Sequence, residues 1–352
     1  MVIYNNKTIS IEQLASSVGA YKPLNIQIDL THTCDSNCPF CLQGSSESRT
    51  DCMSTSKIFS LLTELKELGC YRVGFSGGEP LLRNDVKEIL EYAARLGFRF
   101  SMVSNGHYIT DDLIQTFVDV KLAHLTLSLH TVDSEKYKKI FGNAQFSVEH
   151  ILETLKKLLD NGIHVGVAAT LTKDNIDDVD ALIDAVVRLG VAPEDVTLNP
   201  LLPGKKDINT LLPSEDQMEH LYEVLAARGM AANIREGGEK TNTLLCSAGK
   251  YSCQVRYNGD VFPCSMFECK AGNIYEQSFA QIWETAPIFI MLRSITYKHF
   301  EEPCGSCAAR NTCRMCVWNN IVYNRNIFSP YEQTCNYSQM IKKITEEESK
   351  CN

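Results

Sequence analysis

Long apolar runs are missing from this 352-residue sequence. No window approaches the roughly 20 apolar residues that a membrane-spanning helix needs. The N-terminus, Met1-Val2-Ile3-Tyr4-Asn5-Asn6, lacks both a basic start and an apolar stretch, so it is no signal peptide and the expected location is the cytoplasm. Internal repeats and low-complexity tracts are absent as well. An excess of positive charge is also lacking: 34 Lys and Arg stand against 43 Asp and Glu, for a formal charge of -9, which argues against nucleic acid as the main partner. Cysteine is missing from the middle of the chain, with none between Cys70 and Cys246. Hydrophobic residues make up 44%, enough for one large domain and a smaller one. Cysteine is abundant at the two ends. There are 15, an odd number, and ten of them lie from Cys246 onward. In a reducing compartment such a set points to metal or catalysis rather than to disulfides.

From residue 24 to about 232 the pattern alternates between strand and helix. The expected strands are Asn25–Thr31, Tyr71–Ser76, Arg99–Ser104, His124–His130, His164–Thr170 and Asp195–Asn199. Between them apolar residues recur at helical spacing, as in Ile58, Leu61, Leu62 and Leu65, or Leu152, Leu155, Leu158 and Leu159. Gly69, Gly97, Gly162 and Gly190 sit where helices should stop. Asn175 with Asp178, and Ser214 with Gln217, read as helix starts. Six βα units imply parallel strands with right-handed crossovers, and six are too few for an eight-fold barrel. The expected fold is therefore α/β, a partial, open (β/α)6 TIM-like barrel over 24–232 with its chemistry at the C-terminal strand ends. It follows an N-terminal extension (1–23) and precedes a polar linker (233–245). A small cysteine-rich domain with little regular structure (246–340) and a solvated tail (341–352) complete the chain.

Two motifs carry the chemistry of the first part. Cys34-Asp35-Ser36-Asn37-Cys38-Pro39-Phe40-Cys41 follows the first expected strand. Three thiolates on one short loop can hold three irons of a cubane cluster and leave the fourth open to a non-protein ligand. A zinc knuckle or a redox thiol set are the competing readings. Ser76-Gly77-Gly78-Glu79-Pro80 ends the second strand. Its glycines permit a close backbone approach, and Glu79 offers a carboxylate to an ammonium group.

With these two motifs one strand apart, residues 24 to 228 resemble the radical S-adenosylmethionine (SAM) superfamily. The resemblance implies that Cys34, Cys38 and Cys41 bind a 4Fe–4S cluster whose open iron takes the amino and carboxylate groups of SAM. Gly77, Gly78 and Glu79, in the run closed by Pro80, would hold the methionine amino group, with Phe40 near the adenine. Ser104 and Asn105 at the third strand end, Ser128 at the fourth and Asn199 at the sixth would give polar contacts to SAM. The implied activity is reductive cleavage of SAM to a 5′-deoxyadenosyl radical that abstracts hydrogen from a substrate.

The C-terminal spacing is Cys246-x6-Cys253-x5-Gly259-x4-Cys264, then Cys304-x2-Cys307-x5-Cys313-x2-Cys316, then Cys335. Eight cysteines exceed a single zinc site. The pattern is similar to the SPASM extension of radical SAM enzymes. That likeness implies two auxiliary 4Fe–4S clusters, one on Cys246, Cys253, Cys264 and Cys316, the other on Cys304, Cys307, Cys313 and Cys335. The family places three residues before the fourth cysteine of the central run, whereas Arg314-Met315 gives two. Cys70 reads as a core residue, and Cys52 and Cys269 are candidates for a hydrogen-atom donor. His130, two residues after Ser128, reads as structural, as do Trp283 and Trp318. Ser265 stands where sulfatase-maturing relatives carry a catalytic Asp, which argues against that activity.

The first functional reading is a peptide-modifying maturase of ribosomally made peptides, forming thioether or carbon–carbon cross-links or inverting stereocentres. Only about 20 residues precede the first expected strand, so the expected recruiter is a separate leader-peptide recognition protein or a different surface of the chain. The alternative is a dehydrogenase or cofactor-biosynthesis enzyme acting on a small molecule. A zinc-binding interaction protein is the remote third. A flavodoxin or a ferredoxin-type protein is the expected electron donor.

Overall fold

The computed structural model describes residues 2–4, 7–9, 21–42, 52–142, 145, 147–201, 206–230, 246–296, 299–300, 302, 304, 306–309, 313 and 315–351. The expected linker, 233–245, lies outside the described residues. The chain divides into two compact units. The first takes residues 1–128, 138–166 and 247–294, and the second takes 129–137, 167–246 and 295–352.

The first unit opens with a short antiparallel hairpin, β1 (Val2–Tyr4) and β2 (Lys7–Ile9), which the sequence pattern did not suggest. Then come β3 (Asn25–Thr31), α1 (Thr55–Glu67), β4 (Arg72–Gly77), α2 (Val86–Arg95), β5 (Arg99–Ser104), α3 (Asp111–Asp119) and β6 (His124–Ser128). β3, β4, β5 and β6 pair in parallel in that order. Residues alternate across this sheet. Ile26, Ile28, Leu30, Val73, Phe75, Phe100, Met102, Leu125 and Leu127 are all buried. Burying each such side chain stabilises the fold by about 1.5–3 kcal/mol. Gln27, Arg72, Ser76, Ser101, Thr126 and Ser128, one residue out of step, are half-buried and polar. An apolar face covered by helices and a polar opposite face are what a strand pattern of period two allows when one face is kept for a ligand.

Side-chain caps start the helices: Ser54 accepts from Lys57 N before α1, and Thr110 from Leu113 N before α3. α5 (Val148–Asp160) follows α4 (Ser134–Phe141) and is capped by Ser147. The cysteine-rich segment joins the same sheet. β9 (Ser252–Val255) pairs in parallel with β3 on the side opposite β4, and β10 (Asp260–Phe262) and β11 (Gly272–Asn273) extend it antiparallel. α8 (Phe279–Thr285) and α9 (Pro287–Ser294) follow, with Phe279, Ile282, Trp283 and Phe289 buried. This segment therefore carries more regular structure than its weak periodicity suggests. Its short strands lean on a pre-existing sheet edge, which needs no long apolar repeat of its own.

In the second unit β7 (Val165–Leu171), from Val167 on, pairs in parallel with β8 (Val196–Pro200). α6 (Val179–Leu189) connects them and ends on Gly190 at φ 114°, a left-handed cap. The expected start at Asn175 differs in detail. Asn175 spends its side chain on Thr172 N, Thr170 O and His130 O, and a 3-10 turn at Ile176–Asp178 precedes the helix. Ser214 and Gln217 do form a reciprocal capping box before α7 (Glu215–Ala227). α10 (Val317–Asn324) and α11 (Glu332–Cys351) close the chain, so the expected tail is the end of a 20-residue helix. Among the described residues no helix is long and apolar enough to cross a membrane.

Candidate functional site

The loop that leaves β3 carries Cys34, Cys38 and Cys41, all half-buried and all within reach of one another's charge. Cys41 N donates to Cys38 O at 3.0 Å, which closes a turn between the last two cysteines. Burial first, then neighbouring acidic groups and thiols, push Cys34 and Cys38 up to about 12. Three crowded thiols of this kind form thiolates together only when a cation shares their charge. As a donor set, three sulfurs on one loop fit a cubane cluster with one iron left open.

Glu79 is 1% exposed and fully engaged. Its Oε1 accepts from Leu81 N (3.0 Å) and Ser104 Oγ (2.9 Å), and its Oε2 accepts from Asn105 N (2.8 Å). Burial raises its carboxyl to about 7 against the opposing pull of these donors. Cys34 feels the charge of Glu79, so thiol loop and carboxylate share one site. The two glycines before Glu79 allow a close approach to the protein's own backbone. A Cβ on Gly77 would lie 2.3 Å from Thr31 O, and one on Gly78 2.2 Å from Thr33 O. Gly78 N and Glu79 N donate to those same carbonyls at 2.7 and 2.8 Å. The glycines thus press the Glu79 turn against the start of the cysteine loop.

Phe40 is buried beside Cys41, and Pro80 opens the 3-10 turn after Glu79. Ser104 and Asn105 are buried at the end of β5, and Ser128 is half-buried at the end of β6. Asn199 is exposed on β8 of the second unit. Cys52 Sγ lies 3.7 Å from Thr31 Oγ1, at the same strand end as the cysteine loop. Cys269 is exposed between β10 and β11.

Sequence reasoning missed two side chains here. Asp35 and His107 meet at 2.6 Å, with side chains 7% and 0% exposed. Burial works to raise the Asp35 carboxyl, but His107 and Asn105 outweigh it and hold it below the ordinary value. The available signal was an acid inside the cysteine loop and a histidine three residues beyond Ser104. Periodicity says nothing about either, because both lie in loops.

In the second unit, Cys246 and Cys316 are close enough to interact, and so are Cys307, Cys313 and Cys335. Burial is the main cause that raises Cys316 and Cys335. In the first unit Cys264 is half-buried. Cys253 is 4% exposed on β9, in register with the buried Ile26 of β3, and burial raises its thiol well above the ordinary value. Cys70 is buried, as expected.

Three thiols and a buried carboxylate stand at the C-terminal ends of adjacent parallel strands, a donor set that fits a cluster with one open iron beside an anion. The comparisons agree. Residues 28–186 match the Radical SAM superfamily, and residues 246–308 match SPASM, an iron–sulfur cluster-binding domain. The mycofactocin maturase MftC of Mycolicibacterium smegmatis is 25% identical over 321 residues, covering 86% of this chain and 80% of that protein. The AdoMet-dependent heme synthase of Methanosarcina barkeri is 26% identical over 321 residues, covering 84% and 91%. The PqqA peptide cyclase of Methylorubrum extorquens is 27% identical over 310 residues, covering 82% and 78%. Streptococcus suis SuiB bound to S-adenosylmethionine shares the fold, with a TM-score of 0.69 at 19% identity over 92% of this chain and 79% of that one. The chain carries a radical SAM domain and a SPASM domain. It is an enzyme that uses iron–sulfur clusters and SAM, built on an open parallel sheet and not a closed barrel.

Proposed function

We propose that the enzyme modifies a peptide. The relatives that support this reading include a PqqA peptide cyclase and a maturase, matched over most of their length. The observation that carries the chemistry is the Cys34, Cys38, Cys41 loop held beside Glu79. When bound, the reduced cluster and SAM supply a 5′-deoxyadenosyl radical that abstracts hydrogen from the substrate. The chain's own residues bind and orient. Cys34, Cys38 and Cys41 hold three irons. Glu79, fixed by Leu81 N, Ser104 Oγ and Asn105 N, would accept a hydrogen bond from the methionine ammonium, and that positive charge would draw its carboxyl back to the anion. Gly77, Gly78 and Pro80 shape the turn; Phe40, Asn105 and Ser128 would be the further SAM contacts, and Asn199 is carried by the family resemblance alone.

Cys304, Cys307, Cys313 and Cys335 serve one auxiliary cluster. Cys246, Cys264 and Cys316 serve the other, and the burial of Cys253 on β9, in register with the core residue Ile26, speaks against Cys253 as its partner. Cys52, at the site, is a better hydrogen-donor candidate than the exposed Cys269. A flavodoxin or ferredoxin-type donor, a separate leader-peptide recognition protein and a cytoplasmic location complete the reading. The heme synthase relative favours a second reading, a small-molecule substrate.

Anaerobic reconstitution followed by iron and sulfide counts, and a 5′-deoxyadenosine assay with SAM and dithionite, tests this. About 12 irons per chain with deoxyadenosine formation supports three cubane clusters. Zinc without iron and no SAM cleavage would overturn it. Mass shifts in peptides encoded near the gene, against none in small-molecule pools, would decide the substrate class.

A further inference from the structure

The loop from Thr33 to Leu42 has no helix or strand to hold its three cysteines in place. Four contacts do that work instead. Asn105 Nδ2 donates to Asp35 Oδ1 at 2.6 Å and lies 3.3 Å from Ser36 Oγ. His107 Nδ1, facing a carboxylate at 2.6 Å, carries the proton and donates it to Asp35 Oδ2. Asn37 N donates to Phe141 O at 2.8 Å, and the Phe141 ring stands edge-on to His107 with centroids 5.3 Å apart. The same loop that presents His107 is itself fixed: His107 N donates to Asn105 Oδ1 (3.0 Å) and Gly106 N to Ser104 Oγ (3.0 Å).

Asn105 is the hinge of the arrangement. Its backbone N–H binds Glu79 and its side-chain amide binds Asp35. A buried chain of hydrogen bonds therefore runs from Glu79 through Asn105 to Asp35 and on to His107. One end orients the carboxylate that would face the SAM ammonium, and Asp35, further along, is the residue next to Cys34. We propose that Asp35 and His107 are a positioning pair: they set the cluster-bearing loop against Glu79 so that the open iron and the carboxylate engage one SAM molecule together. Neither residue touches the cofactor in this role. The inference rests on the radical SAM reading of the site. Groups that orient metal ligands from behind typically change metal affinity or activity by about 10–100-fold when removed.

The test uses the full chain, reconstituted anaerobically, as Asp35→Ala, Asp35→Asn, His107→Ala and His107→Asn. Three quantities are read: iron per chain, SAM affinity by equilibrium dialysis, and the change that SAM makes to the EPR spectrum of the reduced cluster. The alanine variants should keep their iron and lose SAM affinity by about 10–100-fold, with a weakened spectral response. His107→Asn, which retains a donor near the Nδ1 position, should recover most of both. Asp35→Asn keeps the acceptor for Asn105 but not the carboxylate, and should fall between. Alanine variants that bind SAM as the parent does would overturn the proposal. So would a loss that only follows lost iron, with unchanged affinity in the molecules that keep the cluster. Should the alanine variants fail to fold, the two asparagine variants carry the same comparison. A parent enzyme whose reduced cluster does not respond to SAM would instead overturn the underlying reading, before any variant is made.

Discussion

Cys253 shows how much a side chain's direction decides. It lies in β9, in register with Ile26 of β3, and its neighbours alternate: Gln254 reaches Asp29 Oδ2 at 2.6 Å on the polar face, while Cys253 faces the core. Burial drives its thiol well above the ordinary value, with Cys70 adding to it. Replacing Cys253 by Ala should leave iron per chain unchanged, whereas Cys316→Ala should lower it. Iron and sulfide analysis of the two variants, side by side, checks this; equal losses would return Cys253 to the ligand set. His130 gives a pH dependence. Its Nδ1 accepts from Thr170 N at 3.0 Å, and burial lowers its pKa to about 4. The folded state thus resists protonation that the unfolded chain accepts near pH 6.5. Its stabilising contribution is complete above that value and declines as pH falls towards 4, by on the order of 3 kcal/mol in total. Thermal midpoints of the cluster-free protein between pH 7 and 5 should fall more steeply for the parent than for His130→Gln, and identical slopes would refute the assignment.

Elements set the distances. The turn after β4 is pressed against the chain leaving β3 more tightly than any side chain permits. Gly78→Ala would drive a Cβ to 2.2 Å from Thr33 O and 2.7 Å from His32 O, both backbone atoms that cannot step aside. We expect it to cost on the order of 3 kcal/mol and to abolish SAM binding. Gly74→Ala, within β4 itself, would meet only Ser101 Oγ at 3.6 Å, an ordinary contact, and should melt within a few degrees of the parent. Calorimetry of the pair separates a crowded turn from a general intolerance of β4. Arg83 joins other pieces of the same end: it donates to Leu30 O (2.8 Å) and Met53 O (2.9 Å) and pairs with Asp85. That brings Cys52 back to Thr31 after the cysteine loop.

At the scale of the whole molecule, the two compact units rest on different supports. The first is a helix-covered sheet with Ile26, Ile28, Leu30, Val73 and Phe75 fully buried. The cysteine segment of the second brings Cys307 and Cys313 near Cys335, which lies in the first turn of α11. Metal binding there is coupled to folding. Removing iron by chelation should speed hydrogen exchange across 304–335 far more than across β3 to β6. Equal protection in both forms would show that the segment folds without its clusters.

Much of this was legible in the residues. The six expected strands are all present, each within two residues of its expected bounds, because alternating burial leaves a period-two pattern in the sequence. The cysteine trio and the Gly-Gly-Glu-Pro run were legible because their spacing is the chemistry. The hairpin of β1 and β2 was not, since three-residue strands carry too short a pattern. Neither was the extension of the sheet by β9 to β11, which depends on an edge supplied more than 200 residues earlier.

The sequence by itself therefore determined the class of chemistry, for ligand type and spacing are local, and the order of the parallel units, for hydrophobic periodicity is local too. Only the tertiary structure decided that the two glycines serve a backbone contact, that Cys253 turns into the core, and that Asp35, Asn105 and His107 join Glu79 to the cysteine loop. Each of these is a contact between segments distant in the chain, and spacing along the sequence does not encode which side chains meet once strands lie side by side.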